Sequence, residues 1–392
     1  MRAIVLSGGG SKGSYQIGVW KALKKLNIKY DIITGTSVGA LNGVLMVEKN
    51  YYKCKWMWNK VNMRLLFNDN IKDNEKNSKL IKNYGINFLK TNGTKPTGLE
   101  NILNKVINKN KFFKSKIKYG LISYNITEKK PIIKTKDELS KQNLIDYLIA
   151  SSSCYPAFTP KIIDNKKYID GGYYDNLPIN LAINLGADEI IAIDLEAPGI
   201  KKRPKKTKNI MYITPNNKLS FFLKFNKKLT KRNELFGYND TMKVFNKLEG
   251  NKYTFRLNTI QKLLYNYKSN YINNINKIID KKITAILKEN QAIKKVINEK
   301  HKERIMLNIT ELLMKELALD ETKIYNIHSI KRNLKYNTKI ILTQKEKNNT
   351  LIMYKYMINK NYKGIKKTAI ISPLDFLKAI LLYTILGDKN GK

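Results

Sequence analysis

The sequence predicts an α/β protein, a mostly parallel central sheet with flanking helices, followed by a basic, mainly helical C-terminal region. Three observations predict it. Short apolar runs recur up to about residue 215 with helical stretches between them. Most of these runs are unbroken rather than alternating, as in strands covered on both faces. Two glycine-bearing turns, Gly8 to Gly13 and Gly35 to Gly39, each join an apolar run to a helical one. Together they place α and β elements in alternation, the sign of a parallel sheet.

In chain order, the strands are expected at Ala3–Leu6, Asp31–Thr34, Tyr119–Tyr124, Lys167–Ile169, Glu189–Leu195 and Asn209–Thr214. The first helix reads from Tyr15 to Lys25, and Ala40 to Met46 continues as another. The stretch from Tyr51 to Asn110 is long, polar and helical in tendency, able to cap the edge of the sheet. A basic, proline-bounded loop, Pro198 to Pro204, interrupts the pattern. From about 255 to 320 the chain becomes a Lys/Asn-rich amphipathic helix, and Asn337 to Tyr356 looks strand-like. The last element starts at Ser372 with Pro373 in the first helical position and Asp375 in the first turn, then runs apolar to Leu386; it reads as core or a docking face rather than an anchor. These shifts divide the chain into a catalytic-looking domain over 1–250 and a basic, mostly helical region over 251–392.

The totals limit function. With 392 residues and 42% hydrophobic content, a sizeable core is affordable. The longest apolar stretch, Phe376 to Leu386, is about half the roughly 20 residues needed to span a bilayer and contains Lys378. Arg2 is followed by only four apolar residues before the glycines, which is no secretory signal. A cytoplasmic protein is expected. The net charge of +43 lies mostly beyond residue 200, but few of the 74 basic residues are arginine, the side chain suited to base edges and bidentate phosphate contacts. A bias toward Lys, Asn, Ile and Tyr would place lysine on most surfaces, so nucleic acid is not the expected partner; peripheral contact with an anionic membrane is. Cys54 and Cys154 are too few for a disulfide framework, and neither His301 nor His328 has ligand-spaced partners, so no metal or cofactor is expected.

Three adjacent glycines at a strand-to-helix turn bring bare N–H groups close to something negative. Gly8, Gly10 and Gly13 spell the dinucleotide fingerprint, yet that fold needs an acid at the end of the second strand. Asp31 begins that strand instead, and its far end carries Gly35-Thr36-Ser37-Val38-Gly39. A serine flanked by glycine at −2 and +2 between a strand and a helix matches the nucleophile elbow, whose turn is too tight for flanking side chains. Serine needs a base. Neither histidine lies in the α/β region, and the best substitute is Asp170, at the end of an apolar strand with Gly171 and Gly172 behind it. To act near neutrality its carboxyl must be desolvated.

Gly8-Gly-Gly-Ser-Lys-Gly13, Gly35-Thr-Ser-Val-Gly39 and Asp170-Gly-Gly172, in that order, resemble the three motifs of patatin-like phospholipases. Ser151 to Pro160, Asp170 to Pro178 and Gly186 to Ile193 are similar to the family's intervening segments, and the resemblance covers about residues 1–245. It implies a serine acyl hydrolase acting on lipid esters through a Ser–Asp dyad: Ser37 as nucleophile, Asp170 as general base, and Gly8, Gly9 and Gly10 as oxyanion donors, with Ser11, Lys12 and Gly13 completing the loop. It implies no metal and no cofactor. The alternative is a non-catalytic lipid- or membrane-binding member of the same fold.

Overall fold

The unbroken apolar runs of the N-terminal part become the interior of a sheet. The computed structural model describes residues 1–67, 82, 93–205, 209–279, 302–343 and 348–387. The chain divides into two units, Met1–Val244 and Phe245–Lys392. The first is built on β1 (Arg2–Leu6), β2 (Ile32–Thr36), β3 (Lys118–Asn125), β4 (Lys130–Thr135), β5 (Lys161–Ile163), β6 (Lys166–Asp170), β7 (Glu189–Ile193) and β8 (Asn209–Ile213). Its described helices are α1 (Ser14–Lys25), α2 (Val38–Val47), α3 (Tyr51–Lys60), α4 (Met63–Phe67), α5 (Thr97–Val106), α6 (Lys109–Lys114), α7 (Leu144–Ser152), α8 (Ile179–Asn184) and α9 (Lys227–Val244).

The strand order is β5-β6-β3-β2-β1-β7-β8, with β4 also on β3. β3, β2, β1, β7 and β8 run parallel. On one face Ala3, Val5, Ile32, Ile190 and Ala192 pack against Ile179 and Ala182 of α8. On the other, Gly43 of α2 lies against Ile33, Tyr119 and Leu6. Burial on both faces is why these strands read as continuous apolar runs. α1 and α9 approach backbone to backbone, since a Cβ on Gly18 would lie 1.8 Å from Glu234 O and one on Gly237 2.0 Å from Tyr15 O.

Three strands in antiparallel pairings complete the sheet. β4 pairs with β3 over Gly120–Asn125. That occupies one side of β3. β2 pairs along the other side as far as Thr36 opposite Ile122, and β6, antiparallel, takes up the same side one step later, Asp170 opposite Ser123. β2 and β6 therefore meet end to end along a single strand. β4 and β5 escape a reading by apolar runs because their side chains are only partly covered.

In the second unit β9 (Leu248–Glu249), β10 (Thr254–Arg256) and β11 (Ile324–Tyr325) form a small sheet, with α10 (Thr259–Ile278), α11 (Lys302–Glu316), α12 (Ile327–Thr343), α13 (Asn349–Ile358), α14 (Tyr362–Ile371) and α15 (Pro373–Leu386) beside it. The final apolar segment is core: Phe376, Ile380, Leu381 and Leu382 of α15 are fully buried, and Lys378 among them is held by Glu316 at 2.9 Å and Asp375 at 2.7 Å. The strand-like expectation for Asn337 to Tyr356 is overturned by α12 and α13. The buried residues of these two helices fall at helical spacing: Ile330, Leu334 and Thr338 on α12, and Leu351, Tyr354 and Met357 on α13. Asn348 starts α13 by accepting the N–H of Leu351 at 3.0 Å. The expected helical stretches 51–110 and 255–320 fall partly outside the described residues, at 68–81, 83–92 and 280–301, the last including His301. Among the described residues no helix is long and apolar enough to cross a membrane.

Candidate active site

The end-to-end meeting of β2 and β6 sets Ser37 beside Asp170. β2 ends at Thr36, α2 begins at Val38, and Ser37 between them is held at φ 56°, ψ −128°. A non-glycine residue there is strained and persists only where its surroundings enforce it. Here the glycines make it feasible: a Cβ on Gly35 would lie 2.4 Å from the carbonyl of Gly39, and one on Gly39 2.2 Å from Leu6 O. The Ser37 N–H donates to Ser151 Oγ at 3.0 Å, and that hydroxyl donates to Ile122 O at 2.7 Å. Ser151 thus ties the turn to α7 and β3. Ser151→Ala would leave a buried N–H without an acceptor, and the expected loss is about 1–3 kcal/mol, read as a lowered urea midpoint.

Asp170 is the last residue of β6 and 6% exposed; Ser37 is 7% exposed. The Ser37 side chain lies beside the Asp170 carboxyl, near enough to favour its ionised form, and Asp170 Oδ1 accepts the N–H of Gly172 at 2.8 Å. Burial pushes this carboxyl from the ordinary aspartate value up to about 6, against the opposing pull of Ser37 and the Gly172 N–H. The desolvation that the sequence requires of a working base is present. Gly171 and Gly172 form the first residues of the tight turn that follows.

The glycine loop is divided in its bonding. The N–H of Gly8 donates to Asn176 O at 3.0 Å, so it is engaged in fixing the loop to the segment after Asp170. Gly9 and Gly10 line the same cavity as Ser37 and Asp170, and among the described residues their N–H groups have no acceptor. Gly10 sits at φ 52°, where a Cβ would come 2.2 Å from Phe222 O. Ser11 locks the loop to Phe221 O and Phe222 O at 3.0 and 2.7 Å. Lys12 spans to the end of β7, donating to Glu196 O at 2.9 Å and Leu195 O at 3.3 Å; it does not line the cavity. Gly13 O accepts Asn42 Nδ2 at 3.1 Å, joining the loop to α2.

The cavity holds about 720 Å³, within the range usual for small-molecule sites. Gly9, Gly10, Ser37 and Asp170 line it together with Ser152 and Asn176; most of the remaining lining is apolar, with Leu41, Met57, Trp58, Leu99, Phe158 and Phe225 among its walls. Among the described residues no histidine lines it, and His328 is exposed on α12. Sequence reasoning missed the walls from α3 and from Phe221–Phe225, although that aromatic run lies outside any strand and was readable as a cluster. It also missed Asn176, whose side chain lies against Gly8, Gly172 and Gly199. Asp31 accepts the N–H of Arg2 at 2.9 Å, at the opposite end of β2 from Ser37, where it cannot serve a ligand at the glycine loop.

Comparison with known proteins gives the following similarities. Residues 4–183 match the family model described as patatin-like phospholipase. Patatin-like phospholipase domain-containing protein 7 of Rattus norvegicus is 30% identical over 196 residues, covering 49% of this chain and 13% of that protein. Lysophospholipase nte1 of Aspergillus terreus is 30% identical over 200 residues, covering 49% and 12%. The chain thus spans only about 13% of the length of the curated relatives it matches. Among solved structures, the crystal structure of VipD from Legionella pneumophila aligns with 100% of this chain and 92% of that one at 14% identity, with a TM-score of 0.40.

Proposed function

Because residues 4–183 are a domain of the patatin-like phospholipase family, we propose that the chain is a lipid acyl hydrolase of the phospholipase A or lysophospholipase type, working through Ser37 and Asp170. The observation that carries this reading is the strained Ser37 set beside a buried carboxyl raised to about 6, both lining one largely apolar cavity. An aspartate so raised is still ionised at neutral pH yet basic enough to take a proton in a transition state.

In this mechanism Asp170 accepts the Ser37 proton as Oγ attacks the ester carbonyl. Negative charge grows on the carbonyl oxygen, and the free N–H groups of Gly9 and Gly10 receive it while Gly8 anchors their loop. The intermediate collapses, breaking the ester bond, and the departing alcohol takes the proton back from Asp170. Water, deprotonated by the same carboxylate, then attacks the acyl-enzyme and frees the fatty acid and Ser37. The apolar walls hold the acyl chain and exclude bulk water.

The test is purified protein against p-nitrophenyl esters from acetate to palmitate, then against lysophospholipids and diacyl phospholipids. Each methylene that enters the apolar cavity adds up to about 0.8 kcal/mol, so kcat/KM should rise by at most about fourfold per carbon until the cavity is full. A fluorophosphonate probe should label the protein at Ser37. No turnover of any ester, or a rate that falls steadily with chain length, would overturn the reading.

A further inference from the structure

The basic, proline-bounded loop after β7 has no part in the chemistry above, yet it borders the cavity. Pro198, Gly199 and Ile200 line it, as does Tyr173. Ile200 is nonetheless 56% exposed and Tyr173 45%. Single exposed apolar side chains are ordinary on a protein surface, but these two belong to one opening. The Tyr173 hydroxyl donates to Tyr155 O, which leaves its ring as an apolar face.

Cations follow immediately in sequence. Lys201 is paired with Asp194 at 2.6 Å. The Lys202 ammonium lies 3.3 Å from the Tyr174 ring centroid. Arg203 and Lys205 are exposed, and among the described residues neither side chain has a carboxylate partner. The loop's backbone is fastened: Ile200 N donates to Gly172 O at 2.9 Å, Asn180 Nδ2 to Arg203 O at 3.0 Å, and Lys205 N to Asn180 Oδ1 at 2.7 Å. Rim and charges are therefore presented in a fixed arrangement, tied to the turn that carries Asp170.

We propose that Tyr173, Ile200 and the cations Lys202, Arg203 and Lys205 form the surface by which the first unit sits on an anionic lipid bilayer, with the cavity opening against the lipid. A soluble polyanion would satisfy the cations and leave the apolar rim in water; a zwitterionic surface would cover the rim and leave the charges unmatched. An anionic bilayer satisfies both. The inference rests on the acyl-hydrolase reading for its purpose, and its test does not depend on catalysis.

The experiment uses the full chain carrying Ser37→Ala, so that vesicles are not consumed, co-sedimented with phosphatidylcholine vesicles with and without phosphatidylserine. Binding is expected only with phosphatidylserine and should weaken with added salt. Arg203→Glu/Lys205→Glu should lower it by about tenfold or more, and Ile200→Ser by about fivefold. Lys29→Glu/Lys116→Glu, the same charge change at the other end of the sheet, should lower it by less than about twofold. With Ser37 restored, Arg203→Glu/Lys205→Glu should hydrolyse p-nitrophenyl butyrate at the parent rate, which shows that it is folded. Equal binding to both vesicle types, no binding at all, or equal losses for the two charge-reversed pairs would overturn the surface. Absence of ester hydrolysis in the parent would instead count against the hydrolase reading and leave the binding result standing.

Discussion

Replacing Ser37 with alanine should lower ester turnover by about 10⁴–10⁶-fold, the range seen when a nucleophile is removed from an acting set of groups. Fluorophosphonate labelling should vanish with it. The backbone strain at position 37 belongs to the turn between β2 and α2, so the variant should keep its fold. Its effect on Asp170 has a defined sign: the hydroxyl, one of the two groups that hold the carboxyl down, is lost, so its pKa should rise above about 6. Titration of Asp170 by NMR in the variant would show this directly. Turnover that survives Ser37→Ala would remove the serine from the mechanism.

The second large effect is Asp170→Asn, and it acts in opposite directions on activity and stability. Turnover should fall by about 10⁴-fold, since the amide cannot take the serine proton. In the parent, kcat/KM should be lost as pH falls through about 6, the point at which the base protonates. For stability, the folded-state pKa lies about two units above that of an unfolded aspartate. The native state therefore binds the proton more tightly, and stability falls as pH rises from about 4 to about 6 and stays lower beyond it. Above pH 7 Asp170→Asn should gain about 1–3 kcal/mol, read as a raised urea midpoint at pH 8 that shrinks by pH 4. Asp175 is also raised to about 6 by burial, so only the difference between variant and parent isolates Asp170. An unchanged rate, or a lowered midpoint at pH 8, would contradict this role.

Much of the first unit was legible because its central strands are dry on both faces. Ala3–Leu6 and Glu189–Ile193 are runs that almost nothing but a covered strand explains. The elbow was legible because sterics allow so little at Gly35 and Gly39. What escaped depends on partners distant in the chain. Lys130–Thr135 is half exposed, so its place on β3 leaves no clear pattern in its residues. The engagement of the Gly8 N–H is fixed by a carbonyl at Asn176. The cavity is walled by α3 and by Phe221–Phe225, whose apolar side chains look like any other core residues until the fold brings them together. In the second unit, β-branched residues around Ile340 suggested a strand, and only packing at helical spacing decided otherwise.

The junction of β2 and β6 on β3 makes the separation of Ser37 and Asp170 a counted quantity. Hydrogen-bonded register moves only in whole steps of about 3.3 Å, each of which turns a side chain to the opposite face. Small errors elsewhere cannot accumulate into a gradual misplacement of the carboxyl, because β3 holds Asp170 opposite Ser123 and any other register displaces it by a whole step. The loops between Ile126 and β6 can accordingly drift in length while the ladder, acting as a ruler, and Ser151 of α7 keep the two groups in reach.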